Sequence, residues 1–315
     1  MGTLGMLIWL WAQLDLQALR EAVVWPALLP LGGMIGTAWV FVLLGGVKFW
    51  LLCRVLTSIP VRIFMYHFCV ATAFGAFTPA ALGDFSLAAL LRREHVPVHE
   101  SMAVILVDRA VTMGMYAMVF VPLTFGFLLH SAFLWWVPVG VGCTTVLTLG
   151  LNSIGAVRQT IRRLLAYSPS VLLVDCLGTT SRLIRQHPWH LLGNIGLTFL
   201  RCLVSGLVVL CALWAAGVYP AFFPVLATTN TIAILNLLPV SLAGLGVYEG
   251  GGVALLGRLG LPQERVLMAL VYQRLYVLLS SFLILAVASL YVGRRAWCTG
   301  HVGKPKHDPA CASQL

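Results

Sequence analysis

Charged residues are scarce in this chain, and their scarcity decides the class of protein. Only 10% of the 315 residues are charged and 60% are hydrophobic, whereas an ordinary soluble domain has about 25% charged residues. The mean hydropathy is +0.95. The apolar residues form runs that are too long for a globular core, because a membrane-spanning helix needs roughly 20 of them. The composition therefore predicts an all-α polytopic membrane protein.

Sequence motifs of enzymes and metal sites are also missing. The chain has no Walker A lysine, no H-E-x-x-H and no G-x-S-x-G, and its eight cysteines form no C-x-x-C. The stretch "GLGVYEG" follows an apolar run rather than a strand and lacks the third glycine of a dinucleotide fingerprint. We therefore expect no cofactor, no metal, no catalytic residues and no enzyme activity.

The apolar runs predict seven or eight membrane-spanning helices in a single transmembrane domain, residues 1–293. Seven runs are long enough, and they cover residues 23–47, 61–79, 101–125, 132–151, 189–215, 219–239 and 265–292. The stretch Gly5 to Leu14 is apolar but short, so it is either a weak first span or an interfacial helix. The polar residues 294–315 are expected to form a disordered cytoplasmic tail.

Basic residues lie mainly where predicted spans end, and the net charge is +10. They form three groups: Lys48, Arg54 and Arg62; the amphipathic loop 152–187; and the residues from Arg294 onward. The connections near 126–131 and 216–220 carry no Lys or Arg. The positive-inside rule places the three basic groups in the cytoplasm. We expect a multi-pass protein of the cell inner membrane with a cytoplasmic C-terminus, and no nucleic-acid partner.

Two stretches of the chain match each other position by position. The first is "DFSLAALLRREHVPVHESMAVILVDR", 84–109, and the second is "EGGGVALLGRLGLPQERVLMALVYQR", 249–274. Without a gap, six of 26 positions are identical and a seventh pairs two acids. The matches that are rare in an apolar chain are Asp84 with Glu249, Arg93 with Arg258, Pro97 with Pro262, and Arg109 with Arg274. The match predicts an internal repeat, with halves at about 61–125 and 219–292.

Each copy has the same layout. A span ends in a break that contains proline and glycine, "FTPAALGD" or "LPVSLAGLGVYEGGG", and a helix that is too short to cross the bilayer alone follows. A proline turn then leads into a long span that carries an arginine. Interrupted segments at matching places in two halves indicate a transport site, because broken backbone is tolerated only inside protein or along a wet cavity. The basic residues favour inverted copies, although re-entrant segments would make them parallel.

Four charged residues are the main candidates for function. Asp84 and Glu249 are either helix N-caps or acids that face one polar cavity and couple to a proton, a cation or an arginine. Arg109 and Arg274 lie inside spans, where a charge costs at least about 2.5–3.5 kcal/mol. They either bind an anionic headgroup or form structural ion pairs with the two acids.

Further candidates surround these four residues. Asp108 adjoins the first arginine, and Gln273 occupies the matching place beside the second. The predicted substrate-binding set also includes Tyr272, Gly244, Gly246, Arg93 and Arg258. Arg201 lies in the middle of a span and either joins the cavity or extends to an interface. Asn230 is expected to form an interhelical hydrogen bond.

The two motif blocks, together with "KFW" at 48–50, resemble the flippase-like family named for the transmembrane region of lysylphosphatidylglycerol synthase. The resemblance covers roughly 20–293. It implies an inner-membrane protein that moves or handles lipids, including aminoacylated phospholipids and, in relatives, isoprenoid- or glycan-linked lipids. The chain lacks the soluble aminoacyl-transfer domain, so lysylation of lipid is not expected.

The sequence favours a lipid translocase whose groove lies between the two repeats. The expected partners are membrane lipids with an anionic or zwitterionic headgroup. Two other functions stay open: an intramembrane lipid-linked transferase that uses Asp84 or Glu249 as a base, and a scaffold for envelope lipid biosynthesis that transports nothing. The oligomeric state stays open as well, including a homo-oligomer.

Overall fold

A computed structural model describes residues 28–78, 80–129, 178–180, 182–183, 185–234 and 246–300. The regular elements within these residues are helices, as predicted. They are α1 (Leu28–Leu56), α2 (Val61–Phe77), α3 (Ala80–Arg92), α4 (Val98–Met115), a π-helical turn (Tyr116–Phe120), α5 (Val121–Leu129), α6 (Pro188–Ala215), α7 (Phe222–Ala233), α8 (Val247–Arg258) and α9 (Gln263–Gly300).

Four of the described segments are long and apolar enough to cross a membrane. They are Leu29–Leu56, Val98–Leu129, Pro188–Ala215 and Gln263–Ala286. Two shorter apolar helices, Val61–Ala76 and Phe222–Ala233, match two further predicted spans. The chain is a multi-pass membrane protein. The predicted span 132–151, the stretch Gly5 to Leu14 and most of the loop 152–187 lie outside the described residues.

The structure corrects the position of Lys48. The lysine was expected in a cytoplasmic connection, but α1 continues to Leu56, well beyond Lys48. The residues after Lys48, "FWLLCRVL", extend the apolar helix by about two turns. Arg54 does lie in the last turn of α1, where its side chain is exposed. Lys48 does not mark the end of the span, because its side chain is buried and forms an ion pair with Asp108 of α4.

The first predicted break separates α2 from α3. Helix α2 ends at Phe77, Thr78 is extended with φ −120° and ψ 163°, and α3 begins at Ala80. The glycine of "FTPAALGD" does not break the helix. Gly83 lies within α3, where a Cβ atom would stand 2.9 Å from the Cα of Gly75 in α2. The glycine therefore allows close packing of the two helices, as in other membrane helix pairs with small residues at the contact.

The two short helices are as short as predicted, and they end in the same way. Helices α3 and α8 contain 13 and 12 residues, so each is about 18–20 Å long and shorter than the roughly 30 Å hydrocarbon layer. The amide of Val96 donates to Leu91 O at 3.3 Å, and that of Leu261 donates to Leu256 O at 3.3 Å. The residue before each donor has positive φ, 63° and 84°. Both ends are Schellman caps.

Helix α6 occupies the centre of the described structure. It packs along α1 and also contacts α4, α7 and α9. One buried cluster, which includes Leu213, Leu256 and Leu270, joins α6 to α8 and α9. A second cluster, with Phe64 and Leu91 among its members, joins α1 to α4. Each short helix is therefore held in its own apolar core, and α1 and α6 contribute residues to both cores.

Candidate functional site

The first predicted pair of charges is an ion pair between α3 and α4. The guanidinium of Arg109 donates from Nη2 to Asp84 Oδ1 at 2.6 Å and from Nε to Oδ2 at 2.7 Å. Asp84 is the fifth residue of α3, so the N-cap interpretation is wrong for this residue. The helix starts one turn earlier than expected, and both carboxylate oxygens face the arginine. This bidentate form is among the strongest charged hydrogen-bond arrangements in proteins.

The second pair joins α8 to α9 at the matching positions. Arg274 donates to Glu249 Oε1 from Nε at 3.1 Å and from Nη2 at 2.9 Å. The other oxygen, Oε2, accepts the backbone N–H of Gly246 at 2.7 Å. Gly246 has φ 83°, a conformation that glycine adopts without steric cost. Glu249 therefore does both things that the sequence left open: it caps the helix and it neutralises an arginine.

Both arginines lie deep in their helices. Arg109 and Arg274 follow the starts of α4 and α9, Val98 and Gln263, by the same number of residues, which corresponds to about 16 Å along each axis. This is close to half of the roughly 30 Å hydrocarbon layer. A buried counter-charge is expected at this depth. The side chains of Glu249 and Arg274 are 9% and 24% exposed, against 24% and 36% for Asp84 and Arg109, so the first pair is more open.

A third, fully buried charge pair was missed at the sequence level. Lys48 Nζ lies 2.9 Å from Asp108 Oδ1, and the two side chains are 0% and 2% exposed. The ammonium also donates to Thr112 Oγ1 at 3.0 Å and to Thr198 Oγ1 at 3.5 Å. Asn194 donates to Asp108 Oδ1 at 3.1 Å. Asp108, predicted as a substrate-binding residue, thus ties α4 to α1 and α6. The signal that could have revealed this pair was a single lysine, Lys48, and a single side-chain amide, Asn194, each within an apolar run.

Two tyrosines extend the polar region from the first ion pair toward the second. Tyr116 is buried and lies within electrostatic range of Arg109, Arg201 and Tyr248. The hydroxyl of Tyr248 donates to Gln273 Oε1 at 3.5 Å, and Gln273 is the neighbour of the second arginine in sequence. Polar groups therefore continue from the end of α4 through α8 to α9. Neither tyrosine was among the predicted site residues.

Tyr116 begins the π-helical turn, which has a local cause. Pro122 lies two residues after Phe120, the last residue of this turn, and has no backbone N–H to donate to the carbonyl one helical turn earlier. The amide of Val121 instead reaches back to Tyr116 O, one residue further than in an α-helix. One-turn π segments of this kind occur often at functional sites. Here the turn carries Tyr116, whose ring packs edge-on against Phe120 with centroids 6.5 Å apart.

Arg201 lies halfway along α6, between Pro188 and Ala215. Its guanidinium carbon is 4.0 Å from the ring centroid of Phe41, which is itself central in α1. The side chain therefore packs against the middle of α1 and does not extend toward either end of α6. Its Nε is buried and has no hydrogen-bond partner within the described part of the chain.

The remaining candidates lie apart from the ion pairs or outside the described residues. Arg93 and Arg258 are exposed at the ends of the short helices, about 13 Å along the helix axis from the acids of the same copies. Tyr272 is partly buried against the core around α6, α8 and α9. Gly244 lies outside the described residues. Asn230 donates to Cys202 O of α6 at 3.2 Å, which confirms the predicted interhelical hydrogen bond.

A separate cavity of about 230 Å³ lies at the end of α1, and its lining residues are Val55, Leu56, Arg182, Leu183, Gln186 and His187. None of the paired charges lines this cavity. Among the described residues, no group of three or more His, Cys, Asp and Glu side chains could hold a metal ion.

No curated protein and no solved structure matches the chain. The family model described as the lysylphosphatidylglycerol synthase TM region matches residues 2–296. This match covers all three charged pairs and every described helix except the C-terminal end of α9. The family is linked to the modification and translocation of membrane lipids. The chain belongs to the lysylphosphatidylglycerol synthase TM region family.

Proposed function

We propose that the protein is a lipid translocase that moves a phospholipid or a lipid-linked headgroup across the inner membrane. The observation that carries the proposal is the matched pair of carboxylate–arginine contacts, Asp84 with Arg109 and Glu249 with Arg274, each about 16 Å from the start of a long helix. In each contact a short helix supplies the carboxylate and a long helix supplies the arginine. Family membership supports the lipid as substrate.

The internal repeat is part of the proposal. The two ion pairs occupy matching positions in the two copies, and the short helices share the same cap. These matches support two related halves, and the distribution of basic residues favours an inverted arrangement. We call each of these carboxylate–arginine pairs a clasp. Inverted halves would place one clasp on each route into the membrane.

The clasps suggest how a headgroup would be bound. A phosphate presents oxygens with the same fork geometry as a carboxylate, so it can replace Asp84 or Glu249 on the guanidinium. The displaced carboxylate must then find water or a proton, which would provide a route to ion coupling. The first clasp is the more exposed of the two, so we propose that it opens first. The acyl chains would stay in the bilayer.

The geometry favours transport over transferase chemistry. Both oxygens of Asp84 accept hydrogen bonds from Arg109, and both oxygens of Glu249 accept hydrogen bonds. A carboxylate held in this way is a poor general base, because its lone pairs are occupied by a permanent cation or by a backbone amide. Anion binding, by contrast, needs only the exchange of the carboxylate for the anion on the arginine, with no chemical step.

The test is lipid flipping in proteoliposomes by two variants, Arg109→Ala and Arg274→Ala. Acyl-labelled fluorescent phosphatidylglycerol is reduced by dithionite in the outer leaflet, and the loss of inner-leaflet label gives the flipping rate. We expect both variants to insert normally and to lose flipping. Arg54→Ala is the control, because Arg54 is exposed at the end of α1. Wild-type rates in both site variants would contradict the anion-binding role.

A further inference from the structure

The charges of the described helix interiors do not balance. Four cations lie more than one turn from either end of the four membrane-length segments: Lys48, Arg109, Arg201 and Arg274. Three anions pair with three of them, Asp108 with Lys48, Asp84 with Arg109 and Glu249 with Arg274. Within the described residues Arg201 is therefore left without a carboxylate, and this group of seven side chains has a net charge of +1. A cation at this depth is costly unless something neutralises it.

The surroundings of Arg201 hold the guanidinium in place without neutralising it. Phe41 stacks against one face at 4.0 Å. Gly45, one helical turn further along α1, lies against the same guanidinium, since a Cβ there would stand 3.4 Å from Nε. The Nε atom is buried and unbonded in the described structure, while the residue as a whole is partly exposed. Stacking on a ring leaves the edge of the guanidinium, with its N–H donors, free for a ligand.

Lys48 lies near Arg201, because its ammonium donates to Thr198 Oγ1 at 3.5 Å, one helical turn before Arg201 on α6. Arg201 and Arg109 both act electrostatically on Lys48, and both act on Tyr116. Tyr116 belongs to the same buried cluster as Cys202, the residue after Arg201, and it lies within electrostatic range of both Arg201 and Arg109. An anion at Arg201 would therefore meet the field of both arginines.

We propose that Arg201 is the residue that receives an oxyanion in the middle of the membrane, and that this oxyanion is the phosphate of a lipid headgroup. The choice of a lipid as the source rests on the proposed translocase function, since a free phosphate has the same binding chemistry. A phosphate at Arg201 restores the charge balance of the seven side chains.

The binding test uses purified protein in detergent and dihexanoyl phosphatidylglycerol as the lipid probe. Arg201→Gln should bind this lipid at least tenfold more weakly than the wild-type protein. Arg54→Gln is the matched control, because Arg54 also stacks on an aromatic ring, Trp50 at 5.3 Å, but at an exposed helix end. Its affinity should be unchanged. Wild-type affinity in Arg201→Gln overturns the assignment.

Inorganic phosphate distinguishes the two sources of the anion. Weaker binding of inorganic phosphate than of the lipid by wild-type protein supports a headgroup site. Equal affinities that both fall in Arg201→Gln support the oxyanion site and overturn the lipid as its source. Flipping by the same proteins after reconstitution into liposomes separates the two proposals. If Arg201→Gln loses lipid binding but the wild-type protein does not flip lipid, only the translocase proposal is overturned. If the wild-type protein flips lipid but Arg201→Gln binds lipid normally, only the Arg201 site is overturned.

A measurement on the unsubstituted protein covers the case in which Arg201→Gln does not fold. An experimental map of the wild-type protein with dihexanoyl phosphatidylglycerol should show the phosphate within hydrogen-bond distance of the Arg201 guanidinium. A phosphate bound elsewhere, with Arg201 still without an anionic partner, overturns the proposal.

Discussion

The buried pair of Lys48 and Asp108 allows the sharpest test of how this membrane core is stabilised. The two side chains are 0% and 2% exposed and lie 2.9 Å apart. Removal of one partner from such a pair leaves an uncompensated charge and typically costs about 3–5 kcal/mol. Replacement of both partners by neutral side chains of similar volume is often neutral. We therefore expect Lys48→Met and Asp108→Asn each to destabilise the protein more than the double variant does.

The magnitudes follow from the contacts that each variant leaves. In Lys48→Met, Asp108 keeps the donor from Asn194 but loses its cation. In Asp108→Asn, Lys48 keeps the hydroxyls of Thr112 and Thr198 but loses its anion. At roughly 2–4 °C per kcal/mol for a large domain, each single variant should lower Tm by about 6–20 °C. Because the double variant should lose less than either single variant, it should recover at least about 3 kcal/mol relative to the sum of the single variants.

Thermal unfolding in detergent, followed by tryptophan fluorescence, measures these shifts. Arg54→Met is the matched control on the same helix, since its side chain is exposed, and its Tm should stay within about 2 °C of the wild-type value. If the double variant loses as much stability as the two single variants combined, the lysine and the aspartate do not act as a pair, and the account of this core is wrong.

The remaining predictions concern close packing and the two clasps. Gly206→Ala should lower stability by about 1–3 kcal/mol, because the new Cβ would stand 3.0 Å from backbone of α7. Gly196→Ala in the same helix meets nothing within 4 Å and should be neutral or slightly stabilising, and equal losses would contradict this packing. Glu249→Gln should lower Tm more than Asp84→Asn, because the second clasp is more buried and also caps its helix. The opposite order in a thermal unfolding series would refute that ranking.

The sequence predicted the elements that depend on local or repeated signals. Apolar runs located six of the described helices, because the thickness of the bilayer sets their length. The two ion pairs could be anticipated because a carboxylate and an arginine recur at the same spacing in both copies. Whether Asp84 caps a helix or pairs could not be decided, since the answer depends on where α3 begins.

The rest depends on contacts between distant parts of the chain. Lys48 seemed to mark the end of a span because hydropathy counts a lysine as solvent-facing, while its partners Asp108 and Asn194 lie on two other long helices, α4 and α6. Gly83 was interpreted as part of a helix break, yet it serves packing against α2. Nothing in the sequence marked Tyr116 as a site residue, because its position depends on a π-helical turn.

Lipid flipping by the purified wild-type chain tests the central claim most directly. Liposomes of phosphatidylglycerol and phosphatidylcholine, reconstituted with the protein and a trace of acyl-labelled fluorescent phosphatidylglycerol, are compared with protein-free liposomes and with the double variant Arg109→Ala/Arg274→Ala. We expect the wild-type protein to bring nearly all of the label within reach of dithionite, and the double variant to leave about half protected, as in protein-free liposomes. A wild-type trace that coincides with the protein-free one would contradict translocation by this protein.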